Sequence, residues 1–156
     1  MLRPIVPLLI AAALAAPAQK YDGPRPPKPD LPYLKHADNL IPTEVVQAKE
    51  EHKRNDILYV IDGAASSART PLVFPIFLFQ SSKIDPERLG LYKMESKDGR
   101  RELLLNAKKS EVTYHLEITR LTSGNLYRIE VDDSLDPGEY SLSPEGSDEA
   151  FCFQVY

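Results

Sequence analysis

Apolar positions in this chain recur mostly at every second residue, and the pattern is clearest in "EVTYHLEITRL". Val112, Tyr114, Leu116 and Ile118 fall on one side of an extended backbone, and Thr113, His115, Glu117 and Thr119 fall on the other. That alternation is the mark of a half-buried antiparallel strand. After the turn "SGN", "LYRIEV" repeats it with Tyr127, Ile129 and Val131 inward. "ILYVI" and "PLVFPIFLFQ" are denser apolar runs, rich in β-branched and aromatic residues. Pro71 and Pro75 cannot donate to a ladder, so the second run is expected to begin at an edge or to bulge near Pro75. "LGLYKMES" and "RELLL" flank Lys97-Asp98-Gly99-Arg100, and Asp-Gly between apolar runs predicts a tight hairpin. "GEYSL" and "AFCFQVY" close the series. In the last, Phe151, Phe153 and Val155 share the core face, and Cys152, Gln154 and Tyr156 share the other.

"TEVVQAKEEHKR" admits two readings. Thr43 could cap a helix with acidic residues early and basic ones late. Val45 and Val46 are β-branched, and the apolar stripe is sparse for a buried helix. The preferred reading is the first arm of a hairpin turning at "HKRND" into "ILYVI". Roughly eight strands at spacings of about 8–12 residues predict an all-β antiparallel sandwich or barrel.

Ahead of the strands stand two segments of different composition. "MLRPIVPLLIAAALAAPAQK" combines Arg3, an apolar run from Ile5 to Leu14, and Ala16-Pro17-Ala18. This order predicts a cleaved export signal over residues 1–18 with the mature chain starting at Gln19. The apolar run is short for a membrane anchor, and Pro4, Pro7 and Pro17 disfavour a spanning helix. "YDGPRPPKPDLPY" then carries prolines 24, 26, 27, 29 and 32. Proline fixes φ and removes donors, so residues 19–42 are expected to form an extended linker. A spacer is the simpler use of it, and a proline-rich ligand for a partner is the alternative. Residues 43–156 are expected to form the domain.

"LDPGEYSL" places Gly138 and Tyr140 at a strand entrance, which resembles the tyrosine corner of immunoglobulin-like sandwiches. "PYLKHADNL", "GAASSARTPL", "PIFLFQS", "GEYSLSP" and "FCFQVY" together resemble a family of uncharacterised exported bacterial proteins. Those proteins carry a C-terminal immunoglobulin-like β-sandwich. The resemblance implies export and a periplasmic or extracellular location. It brings no catalytic residues.

Charge and reactive residues narrow the function. The formal net charge is −4, and it becomes −5 without residues 1–18, which argues against a nucleic-acid partner. One cysteine, Cys152, rules out a disulfide framework within the chain. Cys152 reads as a packing residue, with a reactive thiol or an intermolecular disulfide as alternatives. His36, His52 and His115 stand at no metal-ligand spacing with one another or with Cys152. His115 and Glu117 could offer two ligands, but a solvated strand face is the simpler reading. Ser66 and Ser67 in "GAASSART" lack the elbow motif of a serine nucleophile. Asp132 and Asp133 could bind calcium but lack a looped series of oxygen ligands. Arg100-Arg101 and Lys108-Lys109 read as ordinary charges flanking turns.

These readings predict no cofactor, no metal ligand and no catalytic residue. They favour an exported, non-enzymatic binding or envelope-associated module with another envelope protein as its partner class. A hydrolase, or a metal- or sugar-binding accessory protein, is the alternative. Within the loop Gly63–Thr70, Ser66, Ser67 and Arg69 are the candidate partner contacts, because a rigid sandwich commonly presents its loops for binding. A plain connection is the simpler reading of this loop. Tyr140 and Cys152 are the candidate structural residues.

Overall fold

The computed structural model describes residues 20–106 and 114–156. The export signal expected over residues 1–18, its cleavage point at Gln19, Lys108-Lys109 and the start of the alternation at Val112 lie outside them. The strands are Tyr33–His36 (β1), Asn39–Pro42 (β2), Glu44–Gln47 (β3), Lys49–Lys53 (β4), Asp56–Asp62 (β5), Arg69–Thr70 (β6) and Ile76–Gln80 (β7). They continue with Leu89–Lys97 (β8), Arg100–Asn106 (β9), Leu116–Arg120 (β10), Leu126–Val131 (β11), Gly138–Pro144 (β12) and Glu149–Val155 (β13). The all-β antiparallel sandwich is therefore observed. The single parallel pairing among the described residues joins the short β6 to β13.

One sheet has five strands in the order β10-β11-β7-β1-β2. The other runs β3-β13-β12-β8-β9-β5-β4, with β6 added on β13. Its two terminal strands are separated in the chain by Ala48 alone, so its ends must meet and the sheet curls into a half-barrel. β8 links the two halves of the curl. Its residues Leu89–Met94 pair with β12, and Glu95–Lys97 pair with β9. A strand shared in this way turns the corner between two sheet segments. It also leaves β8 and β9 apart beyond Glu95, which opens one end of the curl.

The convex face of the curled sheet packs on the flat one. Leu91, Tyr140, Leu142, Phe151 and Phe153 meet Leu34, Phe77, Phe79 and Ile129 in one buried cluster. The alternation in "AFCFQVY" is thus realised, with Phe151, Phe153 and Val155 inside this core. The corner is present too: Tyr140 Oη donates to the Asp136 carbonyl at 2.7 Å, and the ring is fully buried. Tyr140→Phe is expected to cost about 1 kcal/mol, the net worth of one such bond. Chemical denaturation of the variant measures it, and no loss would show that the hydroxyl does not pin the corner.

The hairpin at "DG" forms, with φ of 53° at Asp98 and 76° at Gly99, the paired positive values of a tight two-residue turn. "TEVVQAKEEHKR" is extended, and its second half pairs with β5 as one arm of a hairpin. Two expectations are corrected. The linker does not reach residue 42, because β1 and β2 form a hairpin that joins β7. The prolines stop at Pro32, and the stretch to Pro42 is free to make ladder bonds. Asp30 also ties the proline-rich segment down, accepting from the amides of Ser82, Lys83 and Ile84. The strand in "PLVFPIFLFQ" is not an edge. Only Ile76–Gln80 is strand, beginning directly after Pro75, and it lies at the centre of the five-stranded sheet.

Candidate functional site

The concave side of the curl holds a second interior. Ile61, Met94, Ala150 and Cys152 are buried there, with Val46, Ala48 and Leu103 packed against them. Moving two residues along each strand keeps the same face. Leu103 leads in this way to Arg101, Ser141 to Glu139, Ala150 to Cys152, and Val46 to Glu44. The deep end of the lumen is therefore polar.

Arg101 is the centre of the deep end, 1% exposed. Its Nη1 and Nη2 donate to Glu44 Oε2 and Oε1, both at 3.0 Å, in a two-pronged ion pair. Nε donates to the Gly63 carbonyl at 2.9 Å, and Nη2 also donates to the Asp62 carbonyl at 3.0 Å. Gly63 has φ of +90°, a conformation that glycine adopts without strain and that turns the chain over the guanidinium. The expectation that Arg101 merely flanks a turn is overturned. Its neighbour Arg100 is the surface residue, pairing with Glu102 and Glu51.

The loop after Gly63 closes this end. The Ser66 amide donates to Glu139 Oε2 at 3.1 Å, and the Ser67 amide donates to Glu44 Oε2 at 3.3 Å. Ser66 Oγ accepts from the Ala68 amide, and the Ala68 carbonyl accepts from the Gln154 amide. The candidate contacts consequently divide. Ser66 is only 4% exposed, because the loop turns its amides inward to the carboxylates. Ser67 and Arg69 remain at the surface, and Arg69 is already engaged. Its Nε donates to Gln154 Oε1 at 2.7 Å, and its guanidinium lies 4.3 Å from the centre of the Tyr156 ring.

Burial pushes the pKa of both carboxyls up, with opposite net outcomes. At Glu44 the hydrogen bonds from Arg101 and the Ser66–Ser67 turn outweigh burial and hold the carboxyl below its ordinary range. At Glu139 burial prevails over the Ser66 amide and the Arg101 charge, and the carboxyl is raised. Glu139 Oε1 is buried without a hydrogen-bond partner among the described residues. Acidification therefore removes the stability supplied by Glu44 while it relieves Glu139. Cys152, fully buried, has its thiol pushed up to about 12, first by burial and against the pull of Arg101. It packs with Ile61, Met94 and Ala150 inside the curl, and its protonated thiol is a poor nucleophile at neutral pH.

Above this floor the lumen opens into a cavity of about 270 Å³. Its walls come from six strands and include Tyr59, Ile61, Tyr92, Met94, Leu103 and Leu105. Ser141 and Ser143 line one side, their hydroxyls 2.6 Å apart. The turn Pro144–Asp148 forms part of the rim, held by the Asp148 carbonyl accepting from the Ala48 amide. Sequence reasoning missed this cavity. The only signal for it was the face shared by Arg101, Leu103 and Leu105.

The other candidates stay apart from it. His115 is exposed, with Nδ1 3.3 Å from Asp132 Oδ2, and its amide donates to Asp133 Oδ2. His36 Nε2 meets Thr70 Oγ1 at 2.7 Å. Among the described residues no three side chains of histidine, cysteine, aspartate or glutamate gather as a metal site, and no helix is long and apolar enough to cross a membrane. Compared with known proteins, the chain has no significant match to a family model, a curated protein or a solved structure.

Proposed function

We propose that the protein is an exported, non-enzymatic binding module that takes a small ligand into the lumen of its curled sheet. The observation that carries this reading is the cavity itself: a concave, mostly apolar site with a few polar groups, built on strands of the scaffold. The groups beneath it support binding over catalysis. Arg101 is committed to Glu44 and two carbonyls, and Cys152 is buried and protonated. The order of charged, apolar and small residues at the start of the chain supports export, and the proline-rich segment suits display at the cell envelope.

A methyl-resolved nuclear magnetic resonance titration with benzyl alcohol, a small uncharged probe, tests the binding reading. The methyl signals of Ile61, Met94 and Leu103 are expected to shift saturably. Ala150→Phe, which would project a ring into the cavity, is expected to abolish the shifts in a folded protein. No shift in the wild type, or an equal response in the variant, would contradict the reading.

A further inference from the structure

Among the described residues, every ionisable side chain that lines the cavity, apart from its two tyrosines, is acidic: Glu50, Glu145, Asp148 and Glu149. No described lysine, arginine or histidine lines it. Two of the four have a basic neighbour, His52 at 3.6 Å from Glu50 and Arg88 at 3.6 Å from Glu145. Asp148 and Glu149 have no ion pair among the described residues. The walls add two aromatic rings. Tyr59 is directly opposite Glu50 in the β4–β5 ladder, so ring and carboxylate share one face. Tyr92 lies back along β8 over Gly90, where a Cβ would stand 2.9 Å from its hydroxyl oxygen. Glycine at position 90 is thus what allows that ring to lie against its own strand.

We propose that the lumen selects a small hydrophobic cation, an aryl- or alkylammonium with its apolar body inside and its positive head between the tyrosines and the acidic rim. This inference rests on the binding reading above. The charge of the rim disfavours organic anions, because an anion entering would lose its water next to carboxylates. Aromatic faces attract the cation through their quadrupole. The apolar wall formed by Ile61, Met94, Leu103 and Leu105 disfavours a compact, fully hydrated ion.

Three probes of similar size separate the contributions: benzyltrimethylammonium, benzyl alcohol and phenylmethanesulfonate, each titrated against the purified protein. The cation is expected to bind about tenfold tighter than the anion, a difference worth about 1.4 kcal/mol. Added salt is expected to narrow that gap. Glu50→Gln combined with Asp148→Asn is expected to reduce the preference severalfold. Both positions are exposed, so folding is retained. Equal affinity for the three probes, or preference for the anion, would overturn the cation inference while the lumen stands as a binding site. Binding of none of them would overturn both.

Discussion

Arg101→Ala is expected to destabilise the protein by about 3–5 kcal/mol, the range for breaking a buried ion pair from one side. The side chain is 1% exposed and makes four hydrogen bonds, two to Glu44 and two to backbone carbonyls. Without it Glu44 keeps only the donors of the Ser66–Ser67 turn, and the raised Glu139 loses the positive charge that most favours its ionised form. The carbonyls of Asp62 and Gly63 lose their donor as well. Native stability commonly totals about 5–15 kcal/mol, so this one change removes a large part of it. The loop Gly63–Thr70 should loosen first, and hydrogen exchange at the Ser66 and Ser67 amides should accelerate before global unfolding. Arg101→Met with Glu44→Gln removes both charges and should recover part of the loss. A loss under about 1 kcal/mol from Arg101→Ala would show that the buried pair does not hold this end of the lumen closed.

Phe153→Ala is expected to cost about 3–5 kcal/mol, as for other fully buried aromatic residues truncated to alanine. Phe153 lies where the two sheets meet. Its ring centroid is 5.1 Å from that of Phe77 on the flat sheet, edge to face, and 5.6 Å from that of Tyr140, stacked. Truncation leaves a cavity between sheets whose backbone ladders cannot collapse into it, so the upper part of the range applies. Leu104→Ala, at a residue 53% exposed on the outer face of β9, provides the control and should change stability by about 0.5 kcal/mol or less. Denaturant unfolding of the two variants side by side measures the contrast. Equal effects would mean that the sandwich core is not where the stability resides.

Strand identity was legible because most strands here have one apolar face. Leu116 and Ile118 pack inward and Glu117 and Thr119 face out, as the alternation requires. Asp98-Gly99 marked its hairpin because few other dipeptides accept two positive φ values in succession. The same parity placed Phe151, Phe153 and Val155 on the core face and Cys152 on the other, but could not show that this other face is an interior as well. A polar or small residue on the second face of a strand is indistinguishable from a solvated one until the partner of that face is known. Here the partner is the sheet's own far end. β3 pairs with β13 and β4 with β5, across more than 90 residues of chain in the first case, and no local pattern encodes that closure. Ser141, Ser143 and Glu139 line or floor a lumen for this reason, although in sequence they read as the outer face of a strand.

Arg101 illustrates the same limit at one residue. It stands beside Arg100 and two residues after Gly99, in a context typical of exposed turn charges. Only its phase with Leu103 and Leu105 separates it from Arg100, and only Glu44 and the carbonyls of the 62–63 turn make its burial tolerable. The proline-rich segment was read too broadly for a simpler reason. Proline bars a segment from ladders only where it stands, and the ten residues from Tyr33 to Pro42 contain one proline, at the very end.

The central claim is that a small apolar molecule enters the lumen of the curled sheet, and intermolecular nuclear Overhauser effects from bound benzyl alcohol test it most directly. The account predicts contacts from the probe's ring protons to the methyls of Ile61, Met94, Leu103 and Leu105. The competing location is the exposed apolar run Leu72-Val73-Phe74 between Pro71 and Pro75. Contacts confined to Leu72 and Val73, with the lumen methyls silent, would contradict the account.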